Sequence, residues 1–257
     1  MGFLFTKLFN TQLSIILFLT LMLAGTPSFA FINIESLRQN MKEGFFGSTG
    51  VDLSGSSGNA RVFEIGGNSQ NIYRKDKREF IAITNYNYGE ASSQKNTHKG
   101  NVHLRYAQKF STSWSWEVFG QLEFNEFQNL NLRSLSGIGL RIGLLQHKTS
   151  SIFLGTGTFY EDERIQKDDD QANFRGNIYL SLRQLFGEET EIVLVSYYQP
   201  SYKRIDDYRI QLTAGLEVKI NKYLRIVNNI EYSKDSRPPV GVGQYDLSYS
   251  TGFYISY

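Results

Sequence analysis

Cysteine is absent from the 257 residues. This excludes a disulfide framework, a thiolate metal site, a Cys nucleophile and a lipid-modified Cys behind a leader. Net charge is also small, +2, and no strong field for nucleic acid exists at that balance. Three scattered histidines without a cysteine argue against a structural zinc site. Long apolar runs are missing too. The longest, Leu13 to Leu23, is 11 residues, whereas a spanning helix needs roughly 20. Charged or polar residues recur every few positions after it, so a membrane-embedded mature chain would have to be a barrel. What is present in quantity is 19 Phe, 16 Tyr and 23 Gly against four Pro, a composition suited to strands.

The first thirty residues carry the order of a secretory signal: Lys7, the apolar run, then small and turn-forming residues from Ala24 to Ala30. Ser28 and Ala30 supply the small side chains that signal peptidase needs, and cleavage is expected after Ala30. A retained membrane anchor is the competing reading. From 31 to 43 a short periplasmic segment is expected; Phe31, Ile34, Leu37 and Met41 fit one helical face. The barrel proper is expected over 44–257.

Beyond Gly44 the period changes to two. About twelve segments of 10 to 15 residues follow, separated by Gly, Asn, Asp, Ser or Lys clusters. Ordinary soluble strands run to about 5 or 6 residues, and the greater length suits tilted membrane strands. From Tyr208 to Ile220, residues Ile210, Leu212, Ala214, Leu216, Val218 and Ile220 alternate with Arg209, Gln211, Thr213, Gly215, Glu217 and Lys219. Successive side chains of a strand point to opposite faces, so one surface is apolar and the other polar. Stretches from Trp114, Gly137, Phe174 and Tyr245 behave alike. Those around 59–88 and 191–201 place apolar residues on both faces and cannot be oriented.

A soluble sandwich or lipocalin-like barrel also alternates, so the connections must arbitrate. Short joints at Ser111-Thr112, Gln146 to Ser150, Gly187 to Glu189 and Asn221-Lys222 alternate with longer polar stretches at Glu90 to Gly100, Glu161 to Asn173, Pro200 to Asp207 and Ser233 to Gln244. Outer-membrane barrels pair short periplasmic turns with longer outer loops. The first hairpin departs from the pattern: Gly55 to Gly58 is short where a long loop is expected, and Tyr73 to Lys77 is the longer. Tyr249, Phe253, Ile255 and Tyr257 share one face of the last strand, resembling the C-terminal recognition signal read by the barrel-assembly machinery. The fold class is therefore all-β, an antiparallel transmembrane up-and-down β-barrel of about 12 strands with both termini periplasmic.

Several short motifs carry a family likeness. Ile34-Glu35-Ser36-Leu37-Arg38, Gly58-Asn59, Leu104-Arg105-Tyr106, and Gly137-Ile138-Gly139-Leu140-Arg141 followed by Leu154-Gly155-Thr156-Gly157 resemble the salt-induced outer-membrane protein family. The resemblance implies a barrel of unassigned function and brings no catalytic residues.

Candidate chemistry lies on the polar faces. Arg105, Lys109, Glu117, Glu123, Arg133, Arg141, Arg175, Arg183, Arg209, Glu217, Arg225 and Glu231 are expected to point into the lumen. They could line an aqueous pore or pair across a narrow lumen and fill it. The positive excess among them implies a mild preference for anions if a pore exists. His103, with Ser113, Ser115 and Asp52 as loose candidates, is the only route to an enzyme, and no Gly-X-Ser-X-Gly signature supports it. Asp168, Asp169 and Asp170, with Glu161, Asp162 and Glu163 upstream, read as a solvated acidic outer loop that could bridge divalent cations to lipopolysaccharide. Trp114 and Trp116 are placed for the periplasmic aromatic girdle. The reading is an outer-membrane barrel with a structural or pore-like envelope role. Expected partners are outer-membrane lipid, lipopolysaccharide and the barrel-assembly machinery. No cofactor and no metal are expected. An outer-membrane hydrolase acting on lipid is the alternative, and a soluble periplasmic ligand-binding barrel the third reading.

Overall fold

The structure, a computed structural model, describes residues 38, 43–56, 62–92, 94–166 and 169–257, with backbone alone at 53–56 and 62. The signal and its cleavage residues Ser28 and Ala30, the helix expected before Gly44, and Asp168 lie outside the described residues. Twelve strands follow in order: β1 (Gly44–Ser56), β2 (Val62–Lys75), β3 (Arg78–Ala91), β4 (Gln94–Lys109), β5 (Trp114–Asn125), β6 (Leu130–Gln146), β7 (Ser150–Ile165), β8 (Gln171–Phe186), β9 (Thr190–Pro200), β10 (Tyr208–Lys219), β11 (Leu224–Asp235) and β12 (Tyr245–Ser256). Each pairs antiparallel with its sequence neighbours, and β1 closes the ring on β12. The closing ladder runs from Ser48 opposite Ser256 to Asp52 opposite Gly252. At its end Gly47 and Tyr257 exchange two main-chain hydrogen bonds of 3.0 Å.

Alternation decides the two surfaces. Leu104, Leu122, Ile138, Leu212, Leu247 and Phe253 stand exposed on the outside, while Arg105, Glu117, Arg141, Arg175, Thr213 and Glu217 are buried on the inside. A soluble protein would not leave so broad an apolar band in water, and an apolar outer face around a polar lumen is the arrangement of a membrane-spanning barrel. Aromatic rings cap the band at both ends. Near one rim Tyr73, Phe80, Tyr106 and Trp116 form a continuous belt, with Phe80 to Tyr106 at 4.8 Å and Tyr106 to Trp116 at 5.2 Å between ring centres. Towards the other rim Tyr160 lies 5.1 Å from Phe174, and Tyr198 lies 5.8 Å from Tyr208.

The rims differ in their connections, though less than the sequence implies. Residues 76–77, 110–113, 147–149, 187–189 and 220–223 join strands at the rim shared with β1's start. The first of these is tight because Asp76 takes a left-handed conformation, φ 52°, so the departure expected at Tyr73 to Lys77 disappears. At the opposite rim the joints among the described residues are 126–129, 201–207 and 236–244, and β1, β3 and β7 end there at Ser56, Ala91 and Ile165. Two expected long loops are thus mostly strand. Glu90 to Gly100 contains only a two-residue joint, and Glu161, Asp162 and Glu163 belong to β7. The acids do not signal solvation there, because Glu161 and Glu163 face inward and find arginines.

Candidate functional site: the lumen

Two ionic lattices cross the interior. In the one nearer the long-loop rim, Arg175 Nε donates to Glu161 at 2.7 Å and Arg175 Nη1 to Asp207 at 2.9 Å. Arg209 reaches Glu161, and it also binds Glu163 at 2.9 Å and Asp235 at 2.7 Å. Arg133 bridges Glu123 and Glu163. Of these bonds, those from Arg209 to Glu161 and Glu163 tie β10 to β7 with two strands between them and are chords of the ring, whereas those of Arg133 and the Arg175–Glu161 pair join neighbouring strands. The second lattice lies towards the short-turn rim. Glu117 accepts from Arg105 at 3.0 Å, from the Tyr179 hydroxyl at 3.2 Å and from Arg38 at 2.7 Å. Arg38 also pairs with Glu79 at 3.0 Å, and Glu79 with Arg74 at 2.8 Å. Arg38 precedes β1, and its guanidinium is clamped inside the barrel between Glu79 and Glu117.

A charge taken out of water is tolerated only when paired and hydrogen-bonded, and most inward charges meet that condition. Arg141 sits over the Phe153 ring at 3.7 Å and donates to Tyr179 at 3.3 Å. Arg183 pairs with Glu191 at 2.9 Å, and Arg225 with Glu217 at 2.6 Å. Lys109 and Glu231 occupy inward positions of β4 and β11, where Lys109 is exposed and Glu231 half-exposed. Sequence reasoning missed the acids Glu79, Glu161, Glu163, Glu191, Asp207 and Asp235, and also the bases Arg38, Arg74 and Lys99, among the inward charges. Their inclusion brings the inner wall close to charge balance, which removes the basis for the expected anion preference.

Large side chains in the lumen need small ones beneath them. A β-carbon at Gly155 would lie 1.9 Å from Tyr179 Cε1, so only glycine permits that ring to lie against β7. Two apolar patches interrupt the polar wall: Ile72, Ile81 and Ile83 with Phe46, and Val193 and Val195 with Tyr179 and Tyr197. They are why β2, β3 and β9 resist orientation from sequence.

Filling is uneven around the ring. Inward residues of β4, β8 and β9 are largely buried and those of β5 and β6 only in part, with Gln121, Glu123, Arg133 and Leu135 half-exposed, whereas on β11 and β12 Asn229, Glu231 and Ser248 are half-exposed and Ser250, opposite Asn229, is exposed. A water-accessible strip therefore runs beside the ionic lattices.

The residues weighed for a hydrolase do not come together around His103. Its Nδ1 lies 2.9 Å from Gln121 Oε1, its Nε2 accepts from Arg105 Nε at 3.3 Å, and its ring stacks on Phe119 at 5.7 Å. Both ring nitrogens are thus engaged. Ser115 pairs with Lys109 whereas His103 pairs with Gln121, a separation of about 20 Å along the strands at roughly 3.3 Å per residue. Ser113 is beyond β5's start, and Asp52 is bound by Asn68 at 2.7 Å on β1's side of the ring.

A profile of the family described as "Protein of unknown function, DUF481" matches residues 50–257, nearly all of the barrel. The chain belongs to that family. No curated protein matches it. Among solved structures the fold is similar to a bacterial polysaccharide outer membrane secretin, 9% identical, with TM-score 0.44 over 83% of this chain and 97% of that one. It is similar to the NanC porin, 11% identical, TM-score 0.45, over 82% and 97%. It is also similar to the translocator domain of autotransporter NalP from Neisseria meningitidis, 10% identical, TM-score 0.45, over 86% and 91%. The likeness to salt-induced proteins is not part of the family's description.

Proposed function

We propose that the chain is an outer-membrane barrel with a narrow, pore-like lumen, both termini on the periplasmic side, whose aqueous path follows the inner faces of β11 and β12. The observation that carries this reading is the exposure of Ser250 beside the half-exposed Asn229 and Glu231, set against the buried inner faces of β4, β8 and β9. The ionic lattices would keep the resting path thin and let through only small solutes. The assembly role of Tyr249, Phe253, Ile255 and Tyr257 and the likeness to salt-induced proteins belong to the same proposal. Contacts with lipopolysaccharide and outer-membrane lipid follow from the exposed apolar band.

The absence of cysteine makes the test clean. In planar bilayers the Ser250→Cys protein should give small unitary currents that a charged, water-soluble thiol reagent reduces. Ser181→Cys, at a buried inward position, should not respond. Currents absent from wild type, or unaffected by modification at position 250, would leave the barrel a structural role only. The lipid-hydrolase alternative predicts phospholipid cleavage that His103→Ala abolishes, which the spacing of His103 and Ser115 opposes.

A further inference from the structure

The lumen's mouth at the long-loop rim contains a cavity that neither lattice uses. Three elements build it. Along β4, a register shift sets Gly89 opposite Thr97 and Glu90 opposite Lys95, so Asn96 is an extra residue; such bulges re-aim side chains. After β5 comes a single 3-10 turn, Glu126–Gln128, capped by Asn125 and ended by Asn129 in the left-handed region, φ 55°. The third element is the loop 236–244, which Asn129 Nδ2 ties down through the Val240 carbonyl at 3.3 Å. Gln128 Nε2 donates to Asp246 Oδ2 at 2.9 Å and so joins the turn to β12 across the mouth.

The space enclosed is about 170 Å³, lined by Asn96, Thr97, Lys99, Phe127, Gln128 and Asp246 among others. Three of its polar oxygens are buried without a hydrogen-bond partner: Asn96 Oδ1, Thr97 Oγ1 and Gln128 Oε1. Lys99 is 9% exposed and has no hydrogen bond or ion pair with any described residue. The carboxylates acting on it from a distance are Glu231, Glu64 and Asp246. Burying an unsatisfied polar group costs about 1 to 3 kcal/mol, and more for a charge, so one pocket holding four such groups is built for something that satisfies them.

The missing complement is specific. Two amide oxygens lack donors, the Thr97 hydroxyl lacks any partner, and one ammonium lacks acceptors. Hydroxyl groups do both, donating to the oxygens and accepting from Lys99. Lys99 and Asp246 balance within the cavity, which favours a neutral occupant over an ion. Phe127, 44% exposed at the edge, offers an apolar face for ring C–H groups. Size sets the limit: pockets for drug-sized ligands start at about 300 Å³, and this one holds about six waters at roughly 30 Å³ each. We propose that the mouth cavity between the β4 bulge, the 3-10 turn and loop 236–244 binds one neutral, pyranose-sized sugar unit. This stands apart from the pore reading, since binding at the mouth requires no passage through the lumen.

The test is calorimetric titration of the full chain in detergent micelles with methyl glucoside, methyl galactoside and methyl mannoside, with glucuronate as the charged comparator. At least one methyl glycoside should bind. Lys99→Met and Gln128→Ala should each weaken it at least tenfold, and Phe127→Ala, at an exposed position, should weaken it severalfold while migration on gels shows an intact barrel. Absence of heat with all three glycosides would mean that the cavity holds water only, and would overturn the proposal. Tighter binding of glucuronate, or affinity unchanged in both Lys99→Met and Phe127→Ala, would overturn it as well.

Discussion

Single residues in the lumen carry obligations that no surface residue has. Glu117 accepts from Arg105, Arg38 and Tyr179, so its removal takes the paired carboxylate from buried Arg105 and leaves Arg38 with Glu79. Glu117→Ala should destabilise the barrel by about 3 to 5 kcal/mol, read as a lowered urea midpoint in lipid vesicles. Glu117→Gln, which keeps the acceptor, should cost less. Gly155→Ala should cost about 1 to 3 kcal/mol by overpacking, because the added carbon meets the Tyr179 ring and must push it off Glu117. Outside the membrane band, the Arg237 guanidinium hydrogen-bonded to Asp206 holds that carboxyl below its ordinary value of 3.8. A lowered acid contributes stability that is present above its unfolded pKa and is lost as pH falls through the folded one. Corrected amide exchange in loop 236–244 should therefore match at pH 7 and pH 5 and rise only well below 3.8.

At the scale of elements, legibility followed the contrast between faces. β10 alternates without exception from Arg209 to Lys219, and it could be oriented from sequence with its lipid side named. β2, β3 and β9 could not, because Ile72, Ile81, Ile83, Val193 and Val195 pack inside the lumen. Periodicity reports a difference in polarity between two faces, and it fails where both are apolar. The acids of β7 misled in the opposite direction. Glu161 and Glu163 read as solvated because their partners, Arg133, Arg175 and Arg209, lie far away in sequence. The bulge at Asn96 gave no signal either, since an extra residue is visible only against its partner strand. Orientation has an energetic consequence at each position. Leu212→Arg, on the lipid face of β10, should cost about 2 to 4 kcal/mol, whereas Gln211→Arg, one residue away and inward, should cost far less. Equilibrium unfolding in vesicles compares the two. On the assembly proposal, Tyr257→Asp should lower the heat-modifiable fraction severalfold, because Tyr257 stacks on Phe45 at 6.2 Å and donates to Asn71 at 2.9 Å.

The whole molecule is a ring, and a ring has a last step. Gly47 and Tyr257 meet through two hydrogen bonds although about 210 residues separate them, and joining ends that far apart costs roughly 5 kcal/mol of chain entropy. Every other ladder links consecutive strands and can form as a hairpin. Until the final one forms, β1 and β12 are open edges, each a template for pairing with a stranger. The chords through Glu161 and Glu117 cannot shorten until the wall curves, so the ionic lattices act as a clock that registers closure. A refolding experiment that follows Tyr179 and an edge-strand label together should see both signals arrive in one late phase.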